Sequence, residues 1–272
     1  MGPDDIDWNK MWQEARLRKS WKKKDKEAWD KRAAGFAERN VDSDYAEKFL
    51  ALMRPEPGWR VLDVGCGPGT LALPLAARVT AVTAVDFSAA MLAELETRAL
   101  EKNISAIKTI QASWTDDWQA LAIPVHDVAV SSRSLSVFDL KAALEKLDKW
   151  ASHKVFIADR VGNGPFDPDI FAAIGRNFDP GPDYIFTVNL LHQMGIHPTI
   201  DYIELDPVKT FAGKKEALAS CRWMLDNLSD EEERSLDRHI SRRLQHDAAG
   251  TWSLRRSTPI KWALISWEKR SN

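Results

Sequence analysis

Val61-Leu62-Asp63-Val64-Gly65-Cys66-Gly67-Pro68-Gly69-Thr70-Leu71 is an apolar run that breaks into a glycine-rich turn and then resumes. Glycines at 65, 67 and 69 remove the Cβ atoms that would keep a ligand off the backbone at the carboxyl end of a strand. A second apolar run, Thr83-Ala84-Val85-Asp86, ends in an acid whose carboxylate can accept bonds from both hydroxyls of a ribose. Taken singly, the glycines could serve a tight turn and Asp86 could cap a helix. Their joint appearance in a strand, turn, helix, strand order favours a ligand cleft.

A dinucleotide fold uses the same logic with the spacing GxGxxG, in which free amides at the helix start meet a pyrophosphate. Here the spacing is GxGxG, Thr70 follows the last glycine, and Pro68 removes an amide donor from the turn. That chemistry suits a ligand without a diphosphate, such as S-adenosylmethionine.

Outward from this unit, short apolar runs at 61–64, 79–85, 107–111, 127–131 and 155–158 predict strands, and the stretches after the first four carry helical spacing. Ser88 is the expected N-cap of a helix at 89–102. Strands separated by helices predict a parallel sheet covered on both faces. Residues 7–53 predict helices, with Trp8 and Trp12, Leu17 and Trp21, and Trp29, Ala33 and Phe36 at helical spacing. The last third predicts two helices within 165–196, a strand at 199–205, helices at 208–227 and 230–246, and a closing strand at 259–268. Ser229 and Glu232 have the spacing of a capping box.

The stretch 61–71, followed by Asp86-Phe87-Ser88, resembles the cofactor motifs of class I S-adenosylmethionine-dependent methyltransferases, and the resemblance extends over roughly 29–161. It implies an α/β, doubly wound, Rossmann-like seven-stranded sheet of order 3-2-1-4-5-7-6 with the last strand antiparallel. It implies S-adenosyl-L-methionine as cofactor and S-adenosyl-L-homocysteine as product. By resemblance, the turn of Gly65, Cys66, Gly67 and Gly69 faces the methionine part, Asp63 serves its ammonium, Asp86 holds the ribose and Phe87 lies beside the adenine. Where the family often has Gly-Asp-Ala, this chain has Ala112-Ser113-Trp114, so Ser113 and Trp114 are the adenine candidates. Trp29 to Phe36 resembles the N-terminal helix that closes over the cofactor in quinone methyltransferases, with Phe36 at an aromatic position. The implied organisation is a helical lid at 1–54 and a methyltransferase domain at 55–272, with substrate-covering helices at 165–196 and 208–248.

Acceptor groups in open parallel sheets lie beyond the carboxyl ends of the strands, which nominates Ser131 beside the cofactor and Arg133 and Asp159 for the acceptor. Tyr184 and His192, with Phe186, Leu190 and Met194, fall in the segment expected to cover that edge. No catalytic base stands out, and His126 and His153 are expected at the opposite edge. Ser131-Ser132-Arg133-Ser134 is not the Asp/Asn-Pro-Pro-Tyr motif of amino-directed nucleic-acid enzymes.

The 272 residues carry 38 Lys plus Arg against 40 Asp plus Glu, a formal charge of -2, so no global field draws the chain to polyanions or anionic membranes. The basic run from Arg16 to Lys26 reads as a solvated helix face. Cys66 and Cys221 are the two cysteines and have no metal-ligand spacing, so neither a disulfide framework nor a zinc site is expected. The expected setting is the cytoplasm, and no apolar run approaches the roughly 20 residues that span a bilayer. A small organic acceptor is the leading expectation. The alternatives are an RNA or other nucleic-acid methyltransferase, a non-catalytic cofactor-binding module and an NAD-dependent oxidoreductase.

Overall fold

The computed structural model describes residues 2, 5–20, 26–31, 33, 35, 44–248 and 250–269. Phe36, Trp21 and Lys22 to Lys24 lie outside the described residues.

The main sheet contains β1 (Arg60–Val64), β2 (Ala81–Asp86), β3 (Ile107–Gln111), β4 (His126–Ser132), β5 (Ala151–Arg160), β6 (Thr199–Glu204) and the chain's last strand, β10 (Lys261–Glu268). Their spatial order is β3-β2-β1-β4-β5-β10-β6, which is 3-2-1-4-5-7-6 when only this sheet is numbered. Strands β1 to β5 are parallel, and β10 is antiparallel to both β5 and β6. The register sets Asp63 between Ala84 of β2 and Val130 of β4.

The central strands are apolar throughout because both faces are covered. Val61, Val82, Val128, Val130 and Phe156 pack on one side with α3 (Tyr45–Met53), α4 (Ala72–Ala76) and α5 (Ala89–Glu101). Leu62, Val64, Ala129, Ile157 and Ile265 pack on the other with α6 (Leu140–Trp150) and α8 (Tyr184–Gln193). Ser88 caps α5 as expected, accepting from the Met91 amide at 3.2 Å.

The N-terminal helix α1 (Trp8–Arg18) lies over the second face, where the Trp12 indole donates to the Val137 carbonyl at 3.0 Å. Arg16 is not on a solvated face: it donates to the Ser136 carbonyl at 3.2 Å, and burial with nearby Arg160 lowers its pKa. After it comes the short α2 (Lys26–Asp30).

A satellite core gathers α7 (Pro168–Ala173), α9 (Lys214–Arg222) and α10 (Asp230–Arg243) against a three-stranded sheet of β7 (Val208–Phe211), β9 (Trp252–Arg255) and β8 (Gln245–His246). The capping box of Ser229 and Glu232 opens α10.

Three expectations need correction. The helix expected at 208–227 starts only at Lys214, because Val208 to Phe211 pair with β9. The helix expected to 246 ends at Arg243, and Gln245 and His246 join the same small sheet. The stretch after β3 has no helix: Trp118, fully buried against Trp150, fills that space while its indole ties back to the Ser113 carbonyl. Among the described residues no helix is long and apolar enough to cross a membrane.

Candidate active site

The glycine-rich turn follows β1 directly and is held beside the end of β2. The Gly65 and Cys66 amides both donate to the Val85 carbonyl, at 2.7 and 3.1 Å. All three glycines have positive φ, but they have different neighbours. A Cβ on Gly65 would lie 2.3 Å from Ser134 Cβ, and one on Gly69 would lie 2.4 Å from Leu95 Cδ1. A Cβ on Gly67 would meet nothing within 4 Å. Gly65 and Gly69 thus permit packing, whereas Gly67 borders open space in which a ligand can approach the backbone.

Two acids flank the turn. Asp86 is buried and rigidly held: Oδ2 accepts from the Gly67 amide and Oδ1 from the Ser88 amide, both at 2.9 Å. Each oxygen keeps lone-pair capacity for a further donor. Asp63 is 1% exposed, its Oδ2 is buried with no hydrogen-bond partner, and the Ala72 amide bonds its carboxylate. Burial first, and the charge of Asp86 second, push its pKa up to about 7. An unpaired buried carboxylate oxygen at the end of the central strand fits a cationic ammonium, and the open backbone at Gly67 fits an adenosyl group. The residues present therefore suit S-adenosylmethionine.

Asp30 joins this group from α2. Its Oδ1 accepts from the Ser88 hydroxyl at 2.5 Å and from the Ala90 amide at 3.4 Å, so α2 is tied to the amino end of α5 beside Asp86. Asp30 stands inside the Trp29 to Phe36 stretch, but its role was not legible because its partner lies 58 residues away.

Other expected residues fall into distinct groups. Cys66 is buried in the turn and its thiol pKa is pushed well up by burial. Phe87 is half-buried between Asp86 and Ser88, and its carbonyl accepts from Gln111. The Ser113 hydroxyl turns to Thr115 at 3.0 Å, and Trp114 packs on Trp118 with centroids 5.9 Å apart. Asp116 in the same turn accepts from the Ser113 amide, which holds its carboxyl below the usual range. Ser131 is fully buried and bonds Ser134, which in turn donates to the Val64 carbonyl. Ser131 therefore braces the turn and presents no hydroxyl to the open side.

The acceptor candidates separate further. Arg133 follows β4 with φ 58, a conformation costly for a long side chain, and its amide extends the ladder to the Ala158 carbonyl at 2.8 Å. Its guanidinium lies 4.2 Å from the Tyr45 ring centre. Asp159 points to the opposite face, where it accepts from Thr187 at 2.8 Å and from the Arg160 amide, and burial raises its pKa. Arg160 holds the carbonyls of Pro180, Gly181 and Pro182, a structural clamp.

Tyr184 bonds Tyr202 on the edge strand β6, with β4, β5 and β10 between it and Asp63; that bond pushes its phenol up to about 12. His192 is exposed in the last turn of α8, 5.4 Å from His197 ring to ring. Both histidines precede β6, which runs with β5, so they lie at the edge of the sheet away from the glycine turn. The expected covering role of His192 is corrected: α8 begins at the site edge and descends away from it. Phe186 packs on Trp8 and Trp12, and Leu190 and Met194 join the core, so none of the three lines the turn. His126 opens β4, buried, with Nε2 2.7 Å from Thr83 Oγ1, and His153 lies near the start of β5; both are at the far edge, as expected.

Among the described residues, no group of three or more His, Cys, Asp or Glu is arranged to hold a metal.

Residues 61–153 match the family model described as a methyltransferase domain. An uncharacterized protein of Haemophilus influenzae is 35% identical over 243 residues, covering 88% of each chain. The aklanonic acid methyltransferase DauC of Streptomyces sp. strain C5 is 26% identical over 159 residues, 57% of this chain and 69% of that one. A crystal structure from Bacillus halodurans C-125, provisionally described as a methyltransferase, superposes with TM-score 0.56 at 12% identity, covering 83% of this chain and 99% of that one, and so supports the fold. With the strand order, the open glycine turn and its two acids, these likenesses place the chain in the class I S-adenosylmethionine-dependent methyltransferase family.

Proposed function

We propose that this methyltransferase acts on a small organic acceptor that enters above the carboxyl ends of β4 and β5. The observation that carries the reading is the pair formed by the unpaired buried oxygen of Asp63 and the open backbone face of Gly67, which suits the methionine end of the cofactor. In this reading Asp63 receives the ammonium, Asp86 the ribose hydroxyls, and Phe87 with Trp114 flanks the adenine. Bound S-adenosylmethionine supplies an electrophilic methyl on a sulfonium. The protein then has chiefly to align an acceptor, and orientation alone contributes about 7–11 kcal/mol in favourable cases, so no obligatory catalytic base is required.

Support for a small acceptor comes from the near-neutral charge and from the helices and the small sheet added between β5 and β10. DauC is, by its name, a methyltransferase of aklanonic acid, a further support for an organic acceptor. Residues 1–54 act as a lid in this reading, and 208–248 with the part of 165–196 that precedes the descent of α8 cover the acceptor side. The cytoplasm is the proposed setting. The test is methyl transfer from labelled cofactor to a metabolite extract: label in a small organic product supports the reading. Label only in added RNA, with salt-sensitive binding, favours the nucleic-acid alternative, and saturable cofactor binding with no labelled product favours a binding module.

A further inference from the structure

Trp12, Trp118, Trp150 and Trp267 each donate their indole N–H to an acceptor, the Val137, Ser113 and Ile123 carbonyls and the Asp148 carboxylate respectively. Trp262 does not. It is 7% exposed, and its buried Nε1 has no hydrogen-bond partner. Buried donors are almost always satisfied, because leaving one unmade forfeits its hydration with no return. An unmet donor therefore marks a place where a partner is expected.

The position of Trp262 says what kind of partner. It is the second residue of β10, paired with Arg160 at the end of β5 and with Ile203 of β6, so it stands on the rim where acceptors approach. The Tyr45 ring lies edge-on to it at 6.2 Å, and the Tyr45 hydroxyl is 2.6 Å from Ser132 Oγ at the end of β4. The Arg133 guanidinium is 4.2 Å from the Tyr45 ring and 5.7 Å from the Trp262 ring. A cation and a residue with an unmet neutral N–H thus stand beside one aromatic wall. Ser132 follows two residues after Val130, the β4 partner of Asp63, so this corner and the acid assigned to the methionine end stand at the same edge on adjacent strands.

We propose that the Trp262 indole N–H and the Arg133 guanidinium bind a carboxylate carried by the methyl acceptor, with Tyr45 as the wall that orients Arg133. A guanidinium with a neutral donor beside it matches the two oxygens of a carboxylate, and burial strengthens charge-assisted bonds. This inference rests on the methyltransferase reading for the placement of the methyl group.

Acetate probes the subsite whatever the remainder of the acceptor. The experiment first measures S-adenosylhomocysteine binding by calorimetry, then titrates acetate into the cofactor-saturated protein labelled with [15N]tryptophan, at constant ionic strength. The Trp262 indole signal is assigned by its loss in Trp262→Phe, which keeps the ring. The expected result is a saturable shift of that signal with acetate, none with acetamide, and at least a tenfold weaker acetate affinity in Arg133→Gln. Arg133→Lys, which keeps the charge, should fall between them and serves where the Gln variant does not fold. An unmoved signal, equal shifts with acetamide, or tighter binding of inorganic phosphate than of acetate overturns the proposal. If S-adenosylhomocysteine binds while acetate does not, only this inference fails; if S-adenosylhomocysteine does not bind, the methyltransferase reading fails with it.

Discussion

Asp63, the penultimate residue of β1, and Asp86, the last of the neighbouring parallel β2, share one glycine turn, yet only Asp86 has both oxygens bonded to amides, while Asp63 keeps one buried oxygen unpaired. The difference assigns them different work. Asp86 is a fixed acceptor, and Asp63 carries an electrostatic debt that a cation can settle.

That debt predicts a pH dependence. Because burial and Asp86 raise Asp63 to about 7, the carboxyl is largely protonated below that pH and ionised above it. Only the ionised form pairs with an ammonium, so cofactor affinity should be flat above pH 7 and fall below it, approaching tenfold per pH unit. The unliganded protein should behave in the opposite sense. An acid whose folded pKa is raised contributes stability below its unfolded pKa and loses it as pH rises to about 7. Asp63→Asn should remove both dependences, as measured by calorimetry and thermal unfolding from pH 5 to 8.

The glycines should separate stability from binding. Gly65→Ala combines a positive φ with a 2.3 Å approach to Ser134 Cβ and should lose roughly 2–4 kcal/mol of stability. Gly67→Ala carries only the backbone cost, roughly 1–2 kcal/mol, but its methyl enters the open side and should weaken S-adenosylhomocysteine binding at least tenfold. Chemical denaturation and calorimetry on both variants check this, and equal effects on binding with no difference in stability would contradict the assignment.

Asp86→Ala should weaken cofactor binding by about 1.5–3 kcal/mol, the loss expected for charge-assisted hydrogen bonds. An unchanged dissociation constant in a folded variant would remove the ribose assignment.

Asp30 links α2 to the start of α5 through Ser88, on the amino-terminal side where a helix favours a negative charge. Asp30→Ala should leave the melting temperature within a few degrees and speed S-adenosylhomocysteine release several-fold in stopped-flow. Unchanged release would mean that the contact serves only to anchor the chain.

The fold was legible because its signals are local: apolar runs, one glycine turn, one capping serine. The same holds for Asp63, Asp86 and the turn between them, where meaning resides in spacing. What escaped depends on distant partners. Val208 to Phe211 became a strand because β9 follows it far along the chain, and Trp118 displaced a helix by filling the core against Trp150. Tyr45, Arg133 and Trp262 come from three separated segments, so no window of sequence contains their meeting. His192 was misplaced because its helix was expected to lie across the site edge rather than to descend from it.

The most direct measurement is equilibrium titration of the purified protein with S-adenosylhomocysteine and, separately, with NADH. The structure predicts saturable one-to-one binding of the adenosyl ligand and none of the dinucleotide at the same concentrations. Binding of NADH as tight as that of S-adenosylhomocysteine, or no binding of the latter, would contradict it.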